Sequence, residues 1–79
     1  MHDLDNGPRV VGTKQTLRAL ENGTVVKLYV ASNAQKQVTL RTIEIAESKN
    51  IPIVYVETME ELAKACDVEV KTATAAIIK

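Results

Sequence analysis

The sequence predicts an α/β protein, a three-layer α/β/α sandwich with a mixed, mainly parallel four-stranded sheet. Short runs rich in valine and isoleucine alternate with segments whose apolar residues recur every three or four positions, giving the order β-α-β-α-β-α-β. Such alternation favours parallel strands joined by helices on both faces of a sheet. The chain has 79 residues, enough for one modest core.

The first third of the chain predicts a leader, a strand and a helix. Residues 1–9 are polar and contain Gly7-Pro8, so we expect a loose leader followed by a single domain over residues 10–79. Val10-Val11 is a short strand. We interpret Thr13 as the N-cap of a helix from Lys14 to about Asn22, which Gly23 ends.

Alternation over Val25 to Ala31 predicts the second strand. On strict alternation its two faces carry Val26, Leu28 and Val30 on one side and Val25, Lys27 and Tyr29 on the other. Ser32 or Asn33 is expected to cap the following helix, which runs from Ala34 to about Lys49 and stops at Asn50.

The last third predicts a strand, a helix, a loop and a strand. The nearly continuous apolar run from Ile51 to Val56 is typical of a strand covered on both faces, so we expect it in the sheet interior. A capping box at Thr58 opens a helix to about Ala65. A loop over residues 67–72 and a final strand over residues 73–78 follow.

The composition limits the possible functions. Ten basic and ten acidic residues give a formal net charge of zero, which permits only a compact cluster of positive charge for an anionic partner. One cysteine, Cys66, excludes an internal disulfide and fits a reducing compartment. The leader is not a signal peptide and no apolar run approaches membrane-spanning length, so we expect a soluble, cytoplasmic protein.

The residues that catalysis requires are missing from the pattern. The single histidine, His2, lies in the leader, and Cys66 is interpreted as a buried structural thiol on the inner face of the third helix. Glu57, Glu60 and Glu61 fit a solvated first helical turn. With no metal-ligand spacing and no glycine-rich phosphate loop, we expect no enzyme activity, no metal and no cofactor.

The most informative segment lies where the first strand gives way to the first helix. Lys14 and Arg18 are four residues apart and therefore share one side of the helix. Gln15 carries a donor and an acceptor, and Gly12 leaves room for a ligand backbone. Helix N-termini attract phosphate, so the segment is compatible with a nucleic-acid site, although a plain solvated helix face is the better explanation of these residues when they are taken alone.

In a wider view, the chain resembles the ribosomal proteins that bind kink-turns in RNA. The run Gly-Thr-Lys-Gln-Thr-Leu-Arg from Gly12 to Arg18, followed by Gly23, is similar to the signature of the large-subunit proteins of the seven-Ae and thirty-e types and their small bacterial relatives. The second and third strands and residues 61–78 resemble the family's later elements. The resemblance covers residues 10–79.

This resemblance implies a monomeric RNA-binding protein, ribosomal, ribosome-associated or bound to a regulatory RNA. Its partner would be structured RNA containing a kink-turn, with the ribosome as a candidate assembly. In the family, the start of the helix enters the major groove that the kink widens at the tandem sheared G·A pairs. The loop before the last strand packs on the bulged nucleotides beside these pairs. The corresponding residues here are Gly12, Thr13, Lys14, Gln15 and Arg18 in the helix start and Glu69, Val70, Lys71 and Thr72 in the loop.

The chain departs from the family pattern at several positions. Lys14-Gln15 replaces the archaeal Asn-Glu and resembles the thirty-e and bacterial branches. Arg18 replaces a lysine, which keeps the charge and adds a planar fork of donors. Asp67 replaces a usual glycine, so the shape of the following loop is open.

Two other functions are alternatives to RNA binding for a domain of this class. A small-molecule-binding α/β domain needs a glycine-rich loop at a strand end, and the sequence offers only Gly12. A protein-binding adaptor would use the third helix and its acids, but no exposed apolar stripe in the sequence supports it. A salt-dependent interaction with bent RNA, absent with a straight duplex, distinguishes RNA binding from both.

Overall fold

A computed structural model of the chain describes residues 8–66, 68, 69 and 71–79. The leader up to residue 7, together with Asp67 and Val70, lies outside the described residues. In chain order the elements are β1 (Arg9–Val11), α1 (Thr13–Asn22), β2 (Val25–Ala31), α2 (Lys36–Ser48), β3 (Ile53–Val56), α3 (Met59–Ala65) and β4 (Thr74–Ile78). The predicted order of strands and helices is confirmed.

The four strands form one mixed sheet in the order β1-β4-β2-β3. β2 pairs with β3 in parallel, whereas β4 runs antiparallel to both β1 and β2. The prediction of a mainly parallel sheet is therefore wrong. A parallel crossover must carry the chain from the carboxyl end of one strand back to the amino end of the next. The seven residues of α3 span only about 10 Å, and β4 begins at the end of the sheet where β3 finishes.

β3 is an edge strand, which corrects the prediction that it lies in the sheet interior. β4 inserts on the far side of β2, and no described strand pairs with the outer edge of β3. Only Val56 is buried, while the side chain of Tyr55 is 58% exposed. Pro52 immediately precedes the strand, a position where proline is tolerated, and its carbonyl accepts the N–H of Leu28 in β2 at 2.9 Å.

β2 is the central strand, and its alternation is broken near its start. The pairing with β4 shifts register between Val25 and Lys27. The irregularity places Val25 in the same buried cluster as Leu28 and Val30, and it leaves Val26 47% exposed. The predicted assignment of Val25 and Val26 to their faces is therefore wrong, whereas that of Leu28 and Val30 is confirmed.

Two apolar clusters pack against opposite faces of β2, since neighbouring residues of a strand point to opposite sides. The α1 and α2 cluster contains Ala19, Leu20, Val25, Leu28, Val30, Ala46 and Ala76. The α3 cluster contains Tyr29, Ala31, Ala34, Val56, Leu62, Cys66 and Ala75. Leu20, Leu28, Tyr29 and Leu62 are completely inaccessible to solvent.

Three helix boundaries follow the predicted signals. Gly23 ends α1 in the left-handed conformation with φ 73°, and its N–H donates to the carbonyl of Leu20 at 3.1 Å. Asn50 follows α2 with φ 59°, a conformation that asparagine tolerates better than most residues. Thr58 caps α3 by accepting a hydrogen bond from the N–H of Glu61 at 3.0 Å.

Two predicted caps are wrong. Thr13 is the first residue of α1, and Gly12 takes the N-cap position with φ 99°. α2 begins at Lys36 after Gln35, so neither Ser32 nor Asn33 caps it. The side-chain oxygen of Asn33 instead accepts the N–H of Met59, which starts α3. No helix in the part of the chain that the structure describes combines the length and hydrophobicity needed to span a bilayer.

We predict that Leu28→Ala lowers the free energy of unfolding by about 2–5 kcal/mol. Leu28 is fully buried in the central strand, so the truncation leaves a cavity that the surrounding strands fill only in part. Leu40→Ala is the matched control, because Leu40 is 55% exposed and should change stability by no more than about 0.5 kcal/mol. Urea unfolding followed by circular dichroism measures both, and equal losses would contradict the assigned core.

Candidate functional site

The strand directions bring the two predicted binding segments to one edge of the sheet. β1, β2 and β3 run in the same direction, and β4 runs against them. The carboxyl ends of the first three strands therefore lie beside the amino end of β4. The start of α1, which follows β1, and the loop before β4 meet at this edge, which we call the binding edge.

A single backbone carbonyl connects the two segments. The oxygen of Thr74, the first residue of β4, accepts the N–H of Gly12 at 2.9 Å and the hydroxyl of Thr72 at 2.9 Å. The Thr74 hydroxyl in turn donates to the Thr13 hydroxyl at 3.4 Å. Residues 12 and 72, 60 positions apart in the chain, are thereby fixed relative to each other.

The start of α1 presents backbone to solvent. Gly12 has φ 99° and ψ 151°, and a Cβ built on it would find no atom within 4 Å. The carbonyl of Gly12 accepts the first helical hydrogen bond, from the N–H of Thr16 at 2.9 Å. No side chain of the described residues caps this N-terminus. The first N–H groups of a ten-residue helix are therefore available to an anion.

Three polar side chains of α1 share one surface depression. Lys14, Gln15 and Arg18 are exposed and line a volume of about 210 Å³. The predicted shared side of the helix is thus confirmed. Thr16 and Leu20, on the opposite side of the helix, are buried. The arrangement offers one lysine and one arginine side chain, with an amide that donates and accepts side by side.

The loop before β4 divides into exposed and buried residues. Glu69 and Lys71 are exposed, whereas Thr72 is only 4% exposed and spends its hydroxyl on the Thr74 carbonyl. Val70 belongs to the residues that the structure does not describe. Thr72 therefore holds the loop in place, and Lys71 is its outward-facing positive charge.

Asn33, in the loop after β2, and Glu60, in α3, are residues that the sequence interpretation did not place at the binding edge. The side chain of Asn33 accepts the Met59 N–H at 2.8 Å, which ties the loop after β2 to the start of α3. A carboxylate oxygen of Glu60 lies 3.6 Å from the Lys71 ammonium nitrogen. Asn33 and Glu60 both follow the ends of parallel strands, and this common position was the signal that could have placed them at the binding edge.

The carboxyl group of Glu60 stays ionised. Its pKa lies below the ordinary value, chiefly because the carboxylate accepts a hydrogen bond from its own backbone N–H. Desolvation opposes this shift, and the positive charge of Lys71 with hydrogen bonds to Lys71 and Asn33 adds to it. The Glu60–Lys71 contact is therefore a true ion pair at neutral pH, and it lies in solvent.

Cys66 has a structural position. It is 2% exposed and packs with the apolar cluster beneath α3. Burial raises the pKa of its thiol, while the charge of Arg9 opposes the rise. The Arg9 guanidinium donates to the Cys66 carbonyl at 3.0 Å and so satisfies the end of α3. Among the described residues, no group of three or more histidine, cysteine, aspartate or glutamate side chains could hold a metal ion.

Comparison with known proteins identifies the class to which this fold and edge belong. The model of the ribosomal protein L7Ae/L30e/S12e/Gadd45 family matches residues 4–79. An RNA-binding protein of Caldanaerobacter subterraneus subsp. tengcongensis is 47% identical over 68 residues, covering 86% of this chain and 83% of that protein. The chain therefore belongs to the L7Ae/L30e/S12e/Gadd45 family, as the resemblance in sequence predicts.

Other relatives extend the comparison. The large ribosomal subunit protein eL8 of Haloquadratum walsbyi is 36% identical over 75 residues, which cover 94% of this chain and 62% of that protein. A solved 15.5kD RNA binding protein of Giardia lamblia superposes with a TM-score of 0.82 at 26% identity, over 90% of this chain. This chain spans 60% of the length of that structure. The agreement supports the mixed four-stranded α/β fold.

We predict that Cys66 resists a bulky thiol reagent in the folded protein at pH 8. The reagent attacks the thiolate, and burial both blocks its approach and favours the neutral thiol. The same protein in concentrated urea is the control and should be modified completely, as absorbance of the released chromophore reports. Rapid modification without urea would show that the α3 cluster is open.

Proposed function

We propose that this chain binds structured RNA at kink-turns, using the binding edge. The observation that carries the proposal is the Thr74 carbonyl, which joins the α1 start to the loop before β4. Two segments far apart in sequence, both implied by the family resemblance, are thereby linked through one backbone group. Relatives named as RNA-binding proteins and as a ribosomal protein support the same function.

The α1 start is suited to bind a phosphate and to read a base. Its free N–H groups and the side chains of Lys14 and Arg18 attract phosphate oxygens. Gln15 lines the same depression and offers paired hydrogen bonds to a base edge. Regular A-form RNA hides its base edges in a deep, narrow groove, so a reader of this kind needs a distorted site. A kink-turn supplies such a distortion.

The loop before β4 would contact the nucleotides that the bend expels. Lys71 faces solvent and is suited to a phosphate, and Glu69 and Val70 complete the loop as further candidates for contact. Thr72 acts through position, because its buried hydroxyl fixes the loop to β4. Thr13 acts likewise through its hydroxyl contact with Thr74, and Gly12 leaves the approach open.

The proposed complex contains one protein chain and one bent RNA helix. The candidate RNAs are ribosomal RNA and kink-turns in regulatory leaders, and the place of action is the cytoplasm. Because the chain has no net charge, long-range attraction to RNA is weak. Affinity must then come mainly from the fit at the binding edge, and a straight duplex should bind poorly.

Gln15→Ala should weaken binding to a kink-turn by about 1–3 kcal/mol and have little effect on an RNA that lacks the G·A pairs. The side chain is exposed at the helix start, where it can reach a base but supports no core contact. Lys71→Ala is the comparison variant and should weaken both RNAs to a similar degree, since phosphate contacts carry little sequence information. Titrations at one salt concentration, with circular dichroism of each variant, give the result. Equal weakening of both RNAs by Gln15→Ala would exclude base reading by this residue.

The salt dependence tests the phosphate contacts. We expect about three to five contacts, so a plot of log K against log salt should have a slope of roughly −2 to −4. Lys14→Gln should make the slope shallower by about 1. Lys49→Gln removes the same charge at the end of α2, away from the binding edge, and should leave the slope unchanged. A wild-type slope near zero would contradict the proposed contacts.

A further inference from the structure

The ion pair between Lys71 and Glu60 links the candidate RNA contact to an acidic residue that binding does not otherwise use. Lys71 lies in the loop before β4, and Glu60 lies in the first turn of α3. The charged atoms are 3.6 Å apart, and the side chains remain 66% and 56% exposed. An exposed pair of this kind is weak and exchanges readily with other ions.

We propose that Glu60 competes with RNA phosphate for Lys71 and thereby sets the affinity of the binding edge. This inference rests on the proposed function, because it concerns regulation of the same site. A phosphate oxygen that approaches the Lys71 ammonium group must replace the carboxylate of Glu60. In the free protein, the Glu60 carboxylate therefore takes the place beside Lys71 that an RNA phosphate would occupy.

Glu60 is a persistent competitor because its backbone is held in place. Its backbone belongs to α3, whose start is held by the Thr58 cap and by the side chain of Asn33. Lys71 is free to move at its tip, as an exposed lysine with a flexible stem. RNA binding can thus draw Lys71 away while Glu60 stays near the incoming phosphate.

The carboxylate that remains then repels the phosphate. Both costs, the lost ion pair and the new repulsion, apply to any RNA that uses Lys71. A kink-turn offsets them with base contacts at α1, which a straight duplex lacks. Glu60 therefore lowers the affinity of nonspecific complexes, so that fewer of them form at a given RNA concentration.

Glu60→Gln is the direct test. It keeps the shape and the hydrogen-bonding capacity of the side chain but removes the charge. We expect kink-turn affinity to rise about two- to fivefold at 50 mM salt, as the loss of an exposed pair implies. The rise should shrink towards unity at about 500 mM salt, where exposed charges are screened. Fluorescence anisotropy with a labelled RNA gives both values.

Glu61→Gln is the matched control. It removes the same charge one position along α3, from an exposed side chain that lines a surface depression with Tyr55 and Lys64. A general effect of net charge would raise affinity equally in the two variants. Local competition for Lys71 requires a clearly larger rise for Glu60→Gln, and an equal rise overturns the proposal.

A second background separates competition from positioning. In Lys71→Ala protein, Glu60→Gln should raise affinity no more than Glu61→Gln does, because the contested lysine is gone. Weaker binding by Glu60→Gln in the wild-type background would mean that Glu60 holds Lys71 in place for RNA, which also overturns the proposal.

If the wild-type chain binds no kink-turn RNA, the proposed function fails together with this inference. If it binds and Glu60→Gln leaves affinity unchanged, the inference alone fails.

Discussion

The insertion of β4 between β1 and β2 is the constraint on which the binding edge depends. Two backbone carbonyl groups at the start of β4 accept hydrogen bonds, one from the end of β1 and one from the end of β2. The Thr74 oxygen accepts the N–H of Gly12 at 2.9 Å, and the Ala73 oxygen accepts the N–H of Ala31 at 2.9 Å. These bonds fix the ends of β1 and β2 and therefore the starting points of the segments that follow them. Backbone bonds depend little on which side chains are present, so the exposed residues of the edge are free to serve recognition.

The signals that are local in sequence located the elements, whereas pairing between distant strands could not be derived. Gly23 and Thr58 mark their helix ends because each acts on residues within a few positions. The direction of β4 depends on which end of the sheet the chain has reached after the short α3. No periodicity in the sequence encodes that position. The same limit explains β3, because its apolar run is equally compatible with an interior strand and with an edge strand. Its edge position follows only from the strand order.

The candidate site shows the same division. The spacing of Lys14 and Arg18 was enough to place both on one side of α1, and the structure groups them with Gln15 around one depression. The burial of Thr72 and the contact of Glu60 with Lys71 involve loops that come together only in three dimensions. Residue type alone therefore identified which side chains carry charge and hydrogen-bonding groups. It did not show which of them face solvent or which are already paired.

A protein with no net charge can select an RNA shape only if its few contacts are held rigidly. Nonspecific affinity for RNA comes largely from phosphate neutralisation, and here the positive residues of the binding edge are offset by acids close by, among them Glu60. What remains is a small number of hydrogen bonds, each of which loses strength steeply with misalignment. The α1 start and the loop before β4 share the Thr74 carbonyl as an anchor, so they cannot move apart independently. Under the proposed function, an RNA must therefore match the fixed spacing of the two segments, which is the reason for proposing a bent helix with expelled nucleotides as the partner.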